Sequence, residues 1–231
     1  MTAKNGWQKF WSRVVTGDGM RKTRFHTYSG NRIDWRGVPG VVRSCSSLVT
    51  LKLFGHWQPV PWLGYRAIKH LDSLIRPDWS ILEFGSGMSS LFFAQRCSRL
   101  VSIESDPAWF DRMRALLASK DITNVDYRFR SEADYTSLDD LADHSFDLVI
   151  VDGIARDREA IAAVQKVKPG GYVFFDNSDV PYTEHREARH TLTAAAVPGT
   201  VRIFNDFYPF QISVNESLIV KITGTSETVP G

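Results

Sequence analysis

Asp152, Asp176 and Asn177 are the residues whose types and setting most suggest chemistry. FDLVIVDG ends in Asp152 and its neighbouring glycine, and YVFFDNSD carries Asp176 and Asn177. Both runs read as buried strands, which puts the three side chains at the carboxyl edge of one sheet, where open α/β sheets bind ligands. Three hard oxygen donors, two of them anionic, suit Mg²⁺ with water and a ligand's hydroxyls in the remaining positions. Such an ion lowers the pKa of a bound hydroxyl and turns it into a nucleophile. The plainer reading is local: Asp152 shapes a turn before Gly153, and Asp and Asn serve hydrogen bonds at strand ends. Without a metal, a general base is needed, and His185, His56 or Asp179 could supply one.

A second set lies upstream. Strand-like ILEF runs into Gly85-Ser86-Gly87, where missing Cβ atoms let the backbone turn tightly and approach a ligand, with a helix following at once. The next apolar run, LVSIE, ends in Glu104, 19 residues beyond Gly85. Doubly wound folds place there a carboxylate that accepts hydrogen bonds from both ribose hydroxyls. The competing role for Glu104 is a helix cap, but Asp106 already stands as N-cap before Pro107. A dinucleotide and S-adenosylmethionine both fit such a loop and acid. The dinucleotide fingerprint wants a third glycine, whereas position 90 is Ser, and some 80 residues precede the strand. S-adenosylmethionine has no pyrophosphate to bring against the helix, so it does not need that glycine.

The elements that would position these groups alternate between short apolar runs and amphipathic stretches. Strands are expected at 80–84, 100–104, 125–129, 147–152 and 171–176, and helices at 88–97, 107–119, 136–142, 157–167 and 183–195. VRIFND and SLIVKI read as a closing antiparallel hairpin. The fold class is α/β: a doubly wound, mostly parallel seven-stranded sheet with helices on both faces. In front, a short helix around Trp7–Val15 and another near Leu63–Ile75, ended before Pro77, divide the chain into an arm or lid at 1–79 and a main domain at 80–231.

Of 231 residues, 43% are hydrophobic and 23% charged, as in ordinary globular proteins. The net charge of +2 hides an asymmetry. Residues 1–79 hold 13 Lys or Arg against 4 Asp or Glu, so they carry +9 and the remainder −7. A basic front part could meet nucleic acid, an anionic membrane surface or an acidic substrate, or be a solvated surface. Cys45 and Cys97 show no CxxC spacing, and no run of about 18 apolar residues occurs, which suits a reduced, cytoplasmic protein. Arg156-Asp157-Arg158 could contact an anionic substrate or simply open a surface helix. The aromatics Trp57, Trp62, Tyr65, Tyr182, Phe207, Tyr208 and Phe210 could wall a pocket or fill a core.

LEFGSGMSS, VSIESDPAW, FDLVIVDG and KPGGYVFFDN, in that order, resemble the successive motifs of class I S-adenosylmethionine-dependent methyltransferases, over roughly residues 80–222. The resemblance implies that Glu83, Gly85, Ser86 and Gly87 face the methionine moiety, Glu104 the ribose, and Ser131, Glu132 and Ala133 the adenine, with Asp152 closing the site. The glycine loop departs from many members in having Ser89 where they carry a third Gly. Asp152 with the Asp176-Asn177 pair is similar to the cation site of metal-dependent O-methyltransferases of the catechol and macrolide-sugar types. The expected activity is O-methylation of a small molecule or sugar, with Asp152, Asp176 and His185 at the reaction end. The alternatives are a metal-independent enzyme acting on nitrogen or another acceptor, a non-catalytic cofactor-binding module, and a nicotinamide oxidoreductase. Nucleic acid is disfavoured as acceptor, because VDGI stands after the fourth strand where a flipped base would need a tetrapeptide such as NPPY. Neither the acceptor nor the oligomeric state is legible.

Overall fold

A computed structural model describes residues 20–54 and 60–223. The expected helix at Trp7–Val15, and His56 and Trp57, lie outside the described residues. Seven strands form one sheet: β1 (Ser80–Phe84), β2 (Arg99–Glu104), β3 (Val125–Phe129), β4 (Phe146–Val151), β5 (Val167–Phe175), β6 (Arg202–Phe207) and β7 (Val214–Lys221). The described helices are α1 (Gly40–Phe54), α2 (Tyr65–Leu74), α3 (Met88–Ala94), α4 (Pro107–Ser119), α5 (Arg156–Lys166) and α6 (Thr183–Ala194). The strand order is β3-β2-β1-β4-β5-β7-β6. The first five strands run parallel, and β7 pairs antiparallel with β5 and with β6. This is the expected doubly wound sheet with its hairpin.

Side chains alternate across a strand, so each face builds its own core. Leu82, Phe84, Val101, Ile103, Val149, Val151 and Phe175 pack on one face with Ala160 and Ala163 of α5 and Ala188 and Leu192 of α6. Ile81, Leu100, Leu148, Ile150 and Phe174 pack on the other with Ala67 and Leu71 of α2 and Phe92 and Phe93 of α3. Truncating one such fully buried leucine to alanine costs about 2–5 kcal/mol. The same alternation puts Glu83 on the α3 face, beneath the glycine loop.

Register then assembles the site. Phe84 pairs with Val151 and Val151 with Phe175, so the next residues of β1, β4 and β5 emerge side by side. The Asp152 amide donates to the Phe84 carbonyl at 3.2 Å, and the Asp176 amide to the Val151 carbonyl at 3.1 Å.

Three local expectations change. Residues 136–142 form turns, with Ser137 N–H donating to Asp134 and Leu141 N–H to Leu138. Tyr135, Leu138 and Leu141 are all buried, so the three-residue spacing that reads as helical belongs to successive turns dropping side chains onto the core. VVRSCSSLVTLKLF, given no element by its pattern, is the helix α1. Strand β5 begins at Val167, and a register shift between Phe146 and Leu148 absorbs its extra residues.

In the front part, the Val214 amide donates to the Arg24 carbonyl, and the Arg24 guanidinium to the Ile212 carbonyl. Residues 20–34 thus lie along the hairpin, with Ile33 in a small core beside Phe207 and Val214.

Candidate active site

Gly85 turns the chain out of β1 with φ of +85°, a conformation that costs L-residues steric strain. Space gives a second reason for glycine: a Cβ there would stand 2.4 Å from the Asp152 carbonyl oxygen. Gly87 is different. Its backbone is extended, and a Cβ would meet only Ser89 Oγ at 3.8 Å, so the missing side chain leaves room open to the cleft.

That cleft, about 480 Å³, is lined by the loop 85–89, Glu104, Trp109 and Tyr135, with Asp152, Gly153 and Ile154 across from them and Val60, Trp62 and Phe210 at the edge. Gly153 is held tightly, since a Cβ there would fall 2.4 Å from both Tyr135 Oη and Glu159 Oε1. Glu104 is nearly buried, and its carboxylate is fully engaged. Oε1 accepts from the Ser105 and Asp106 amides at 2.7 and 2.8 Å, and Oε2 from Ser86 Oγ at 2.7 Å and the Ser86 amide at 3.2 Å. Ser86 Oγ also meets Tyr127 Oη at 2.7 Å, and its carbonyl accepts from the Trp109 indole at 2.9 Å. The acid therefore fixes the loop from one side and lines the cleft with the other. Asp106 caps α4 through the Trp109 amide, which leaves Glu104 free of the capping role.

Glu83 does not line the cleft. It is fully buried and accepts from Ser90 Oγ at 2.5 Å and Ser102 Oγ at 2.6 Å. Burial pushes its carboxyl up to about 7, against the hydrogen bonds of the serines. Ser90, in the position where a dinucleotide loop has its third glycine, thus bridges the acid under the loop to the Gly87 amide, which donates to its Oγ at 3.1 Å.

Asp152, Asp176 and Asn177 share the wall of a second, adjoining cavity of about 260 Å³ with Trp62, Tyr208 and Gln211. Trp62 and Asp152 line both spaces. Within the second cavity, Asp176 accepts from Tyr208 Oη and from the Asn177 side chain. Asn177 sits at φ +57°, a left-handed conformation that Asn tolerates better than most residues. Asp152 pairs with Arg156 at 2.7 Å, and the other guanidinium nitrogen donates to the Val151 and Asp176 carbonyls at 2.8 and 3.2 Å. Arg156 is thus neither a surface charge nor a ligand for solvent anions; its side chain is 11% exposed. Burial and the neighbouring Asp152 charge push the Asp176 carboxyl well above the usual range. Burial also raises Asp152, opposed by Arg156.

Among the described residues, no group of three His, Cys, Asp or Glu side chains is gathered for a metal. The donor set here is two carboxylates and one amide. It fits a hard divalent cation by chemistry, since the like-charge repulsion that raises Asp176 is what such an ion relieves.

The remaining expected residues lie elsewhere. His185, at the start of α6, is not among the residues lining either cavity; its ring packs 6.0 Å from Phe175 and 5.9 Å from Tyr182. Burial and Arg156 lower its pKa. Asp179 accepts from the Ser29 amide at 2.8 Å. Ser131, Glu132 and Ala133 are exposed in the turn after β3, and Ser131 lines a separate surface hollow with Arg130 and Asp134. Of the aromatics, Trp62, Tyr208 and Phe210 reach the cavities, while Phe207 is core and Tyr182 is exposed. Trp109 and Tyr135 were missed as site residues, and Arg156, weighed as a contact for an anionic substrate or a surface charge, instead pairs with Asp152. Trp109 had a usable signal, an aromatic in the first turn of the helix that follows the ribose acid.

Residues 82–178 match a family model described as a methyltransferase domain. No curated protein sequence matches the chain significantly. Among solved structures, the chain is similar to the O-methyltransferase TomG of Streptomyces achromogenes, involved in tomaymycin synthesis and solved with S-adenosylmethionine, at 20% identity and a TM-score of 0.57, over 94% of this chain and 95% of that one. An O-methyltransferase of Bacillus cereus in complex with S-adenosylhomocysteine matches at 16% identity and a TM-score of 0.57, over 80% and 91%. An S-adenosylmethionine-dependent O-methyltransferase of Thermotoga maritima matches at 12% identity and a TM-score of 0.55, over 78% and 72%. At these identities the likeness is one of fold.

Proposed function

We propose, from the match of residues 82–178 to a methyltransferase-domain model, that the protein transfers the methyl group of S-adenosylmethionine to a hydroxyl oxygen of a small molecule or sugar. The observation that carries the reading is the meeting of two cavities at Asp152 and Trp62. The larger cleft suits the cofactor, and the smaller carries the groups able to handle an acceptor hydroxyl.

In this reading the open side of Gly87 receives the methionine end, with Glu83 acting from beneath through Ser90. Glu104 takes the ribose hydroxyls at the cost of part of its hold on Ser86. Trp109 and Tyr135 flank the adenine end, and the exposed turn of Ser131 to Ala133, two residues before Tyr135, supplies backbone on that side in this reading. An acceptor hydroxyl beside Asp176 gives its proton to that carboxylate as its oxygen attacks the methyl carbon. A C–O bond forms, the S–C bond breaks, and S-adenosylhomocysteine leaves. Burial and the Asp152 charge raise the Asp176 pKa, and in its ionised form such a carboxylate is a stronger proton acceptor than an ordinary one. Positive charge on sulfur vanishes during transfer, so alignment and exclusion of water by Trp62 and Phe210 supply much of the remaining effect. Mg²⁺, when bound, would be held by Asp152, Asp176 and Asn177 and would lower the pKa of the acceptor hydroxyl.

The test is methyl transfer from labelled S-adenosylmethionine to a panel of hydroxylated, aminated and thiol acceptors. Product on oxygen supports the reading. Transfer only to nitrogen or sulfur contradicts it, and cofactor binding without transfer to any acceptor favours a binding module.

A further inference from the structure

Helix α1 is inside out. It buries Gly40, Ser44 and Ser47 and exposes Val42 at 69%, Val49 at 51%, Leu53 at 71% and Phe54 at 76%. A helix packed on a core normally does the reverse. The inner face is small because it lies directly on the hairpin loop: Ser44 Oγ donates to the Tyr208 carbonyl at 2.8 Å, and the Phe210 amide donates to Ser47 Oγ at 2.8 Å. At 100° per residue, Val42, Val49 and Leu53 fall within one narrow stripe pointing away from the hairpin. Arg43 and Lys52 project near the two flanks of that stripe. Trp35, 77% exposed, and Val38 extend the apolar surface ahead of the helix. An exposed apolar stripe of this kind marks an interaction surface.

Charge selects the partner. No Asp or Glu occurs between Trp35 and Phe54, while Arg36, Arg43 and Lys52 do; Asp34, just ahead of them, is already paired with Arg66. A second copy set against this face would bring like charges together. The chain's own residues 1–19, with three Lys or Arg against one Asp, complement it no better. An anionic lipid surface answers both features, because apolar side chains enter the acyl boundary while flanking Arg and Lys reach the headgroups. We propose that α1, with Trp35 and Val38, docks the protein peripherally on anionic bilayers. No described helix is long and apolar enough to cross a membrane, and docking of this kind needs none. Since the inner face of α1 is bonded to the loop that carries Tyr208 and Phe210, docking holds that loop at a fixed distance from the lipid surface.

The experiment is co-sedimentation of the full chain with vesicles of phosphatidylcholine alone and of phosphatidylcholine mixed with phosphatidylglycerol. Binding is expected only to the mixed vesicles and to weaken with added salt. Leu53→Ser should reduce affinity roughly tenfold, as loss of one buried leucine implies, and Lys52→Glu at least about fivefold, as loss of one headgroup contact implies. Both positions are exposed, so the variants should melt like the parent. The proposal is overturned by equal binding to both vesicle types, by no binding to either, or by affinity indifferent to both variants. A dimer in light scattering that Leu53→Ser converts to monomer overturns it in favour of a second copy. Loss of methyl transfer does not bear on the outcome, so the docking and the enzymatic reading fail separately.

Discussion

The Arg156 guanidinium pairs with the Asp152 carboxylate at 2.7 Å and reaches past it to the Asp176 carbonyl. One buried cation thus ties together the ends of β4 and β5, and it comes from α5, the helix that follows Asp152. Two carboxylates in a confined site repel, and the Arg156 charge opposes the rise in pKa of both.

Arg156→Met keeps most of the stem and deletes the charge. Breaking one side of a buried ion pair leaves an uncompensated carboxylate, here partly relieved by the 27% exposure of Asp152. The expected loss is about 2–4 kcal/mol in urea unfolding, together with a large fall in kcat/KM. Adding Asp152→Asn should recover part of the stability and none of the activity, since the two changes are coupled. A single variant as stable as the parent would show that the pair does not hold the strand ends.

Chelation separates the two sources of positive charge at the reaction end. If Mg²⁺ assists, dialysis against EDTA abolishes turnover, added Mg²⁺ restores it, and binding of S-adenosylhomocysteine is untouched. Turnover unchanged by EDTA removes the metal from the account and leaves Arg156 as the cation.

Glu83 makes a pH prediction whose sign is fixed by burial. Its folded carboxyl titrates near 7 rather than at its ordinary value of 4.5, so between these values the folded state binds the extra proton. Stability therefore falls as pH rises through that window, by up to about 3 kcal/mol. Glu83→Gln keeps the shape and removes the titration. The difference in unfolding free energy between parent and variant should drift in favour of the variant from pH 4.5 to 7. A flat difference across that range contradicts the assignment.

Much of this architecture is legible in the sequence because strands buried on both faces announce themselves as apolar runs, and glycine and acid at their ends mark the ligand edge. The convergence of Asp152, Asp176 and Asn177 on one cavity follows from β4 and β5 being neighbours that end in register. Other features needed packing. Residues 136–142 have helical spacing but are turns, since buried Tyr135, Leu138 and Leu141 satisfy the same period. Helix α1 hid itself because its apolar residues face outward and its serines inward, the opposite of the pattern sequence reading relies on. Arg156 read as a substrate contact or a surface charge because its partner Asp152 lies one helical turn back, visible only once α5 starts at that residue. Ser131 to Ala133 were carried over by motif order, and side-chain position in a turn is not encoded in that order.

The cleft lined by the loop 85–89 and Glu104 is the proposed seat of S-adenosylmethionine. Calorimetric titration with S-adenosylhomocysteine tests it most directly, on the parent and on Glu104→Ala and Gly85→Val, the latter placing a side chain against the Asp152 carbonyl. Saturable one-to-one binding by the parent, lost in both variants while each remains folded by circular dichroism, is the predicted result. No binding by the parent, or undiminished affinity in both variants, would contradict it.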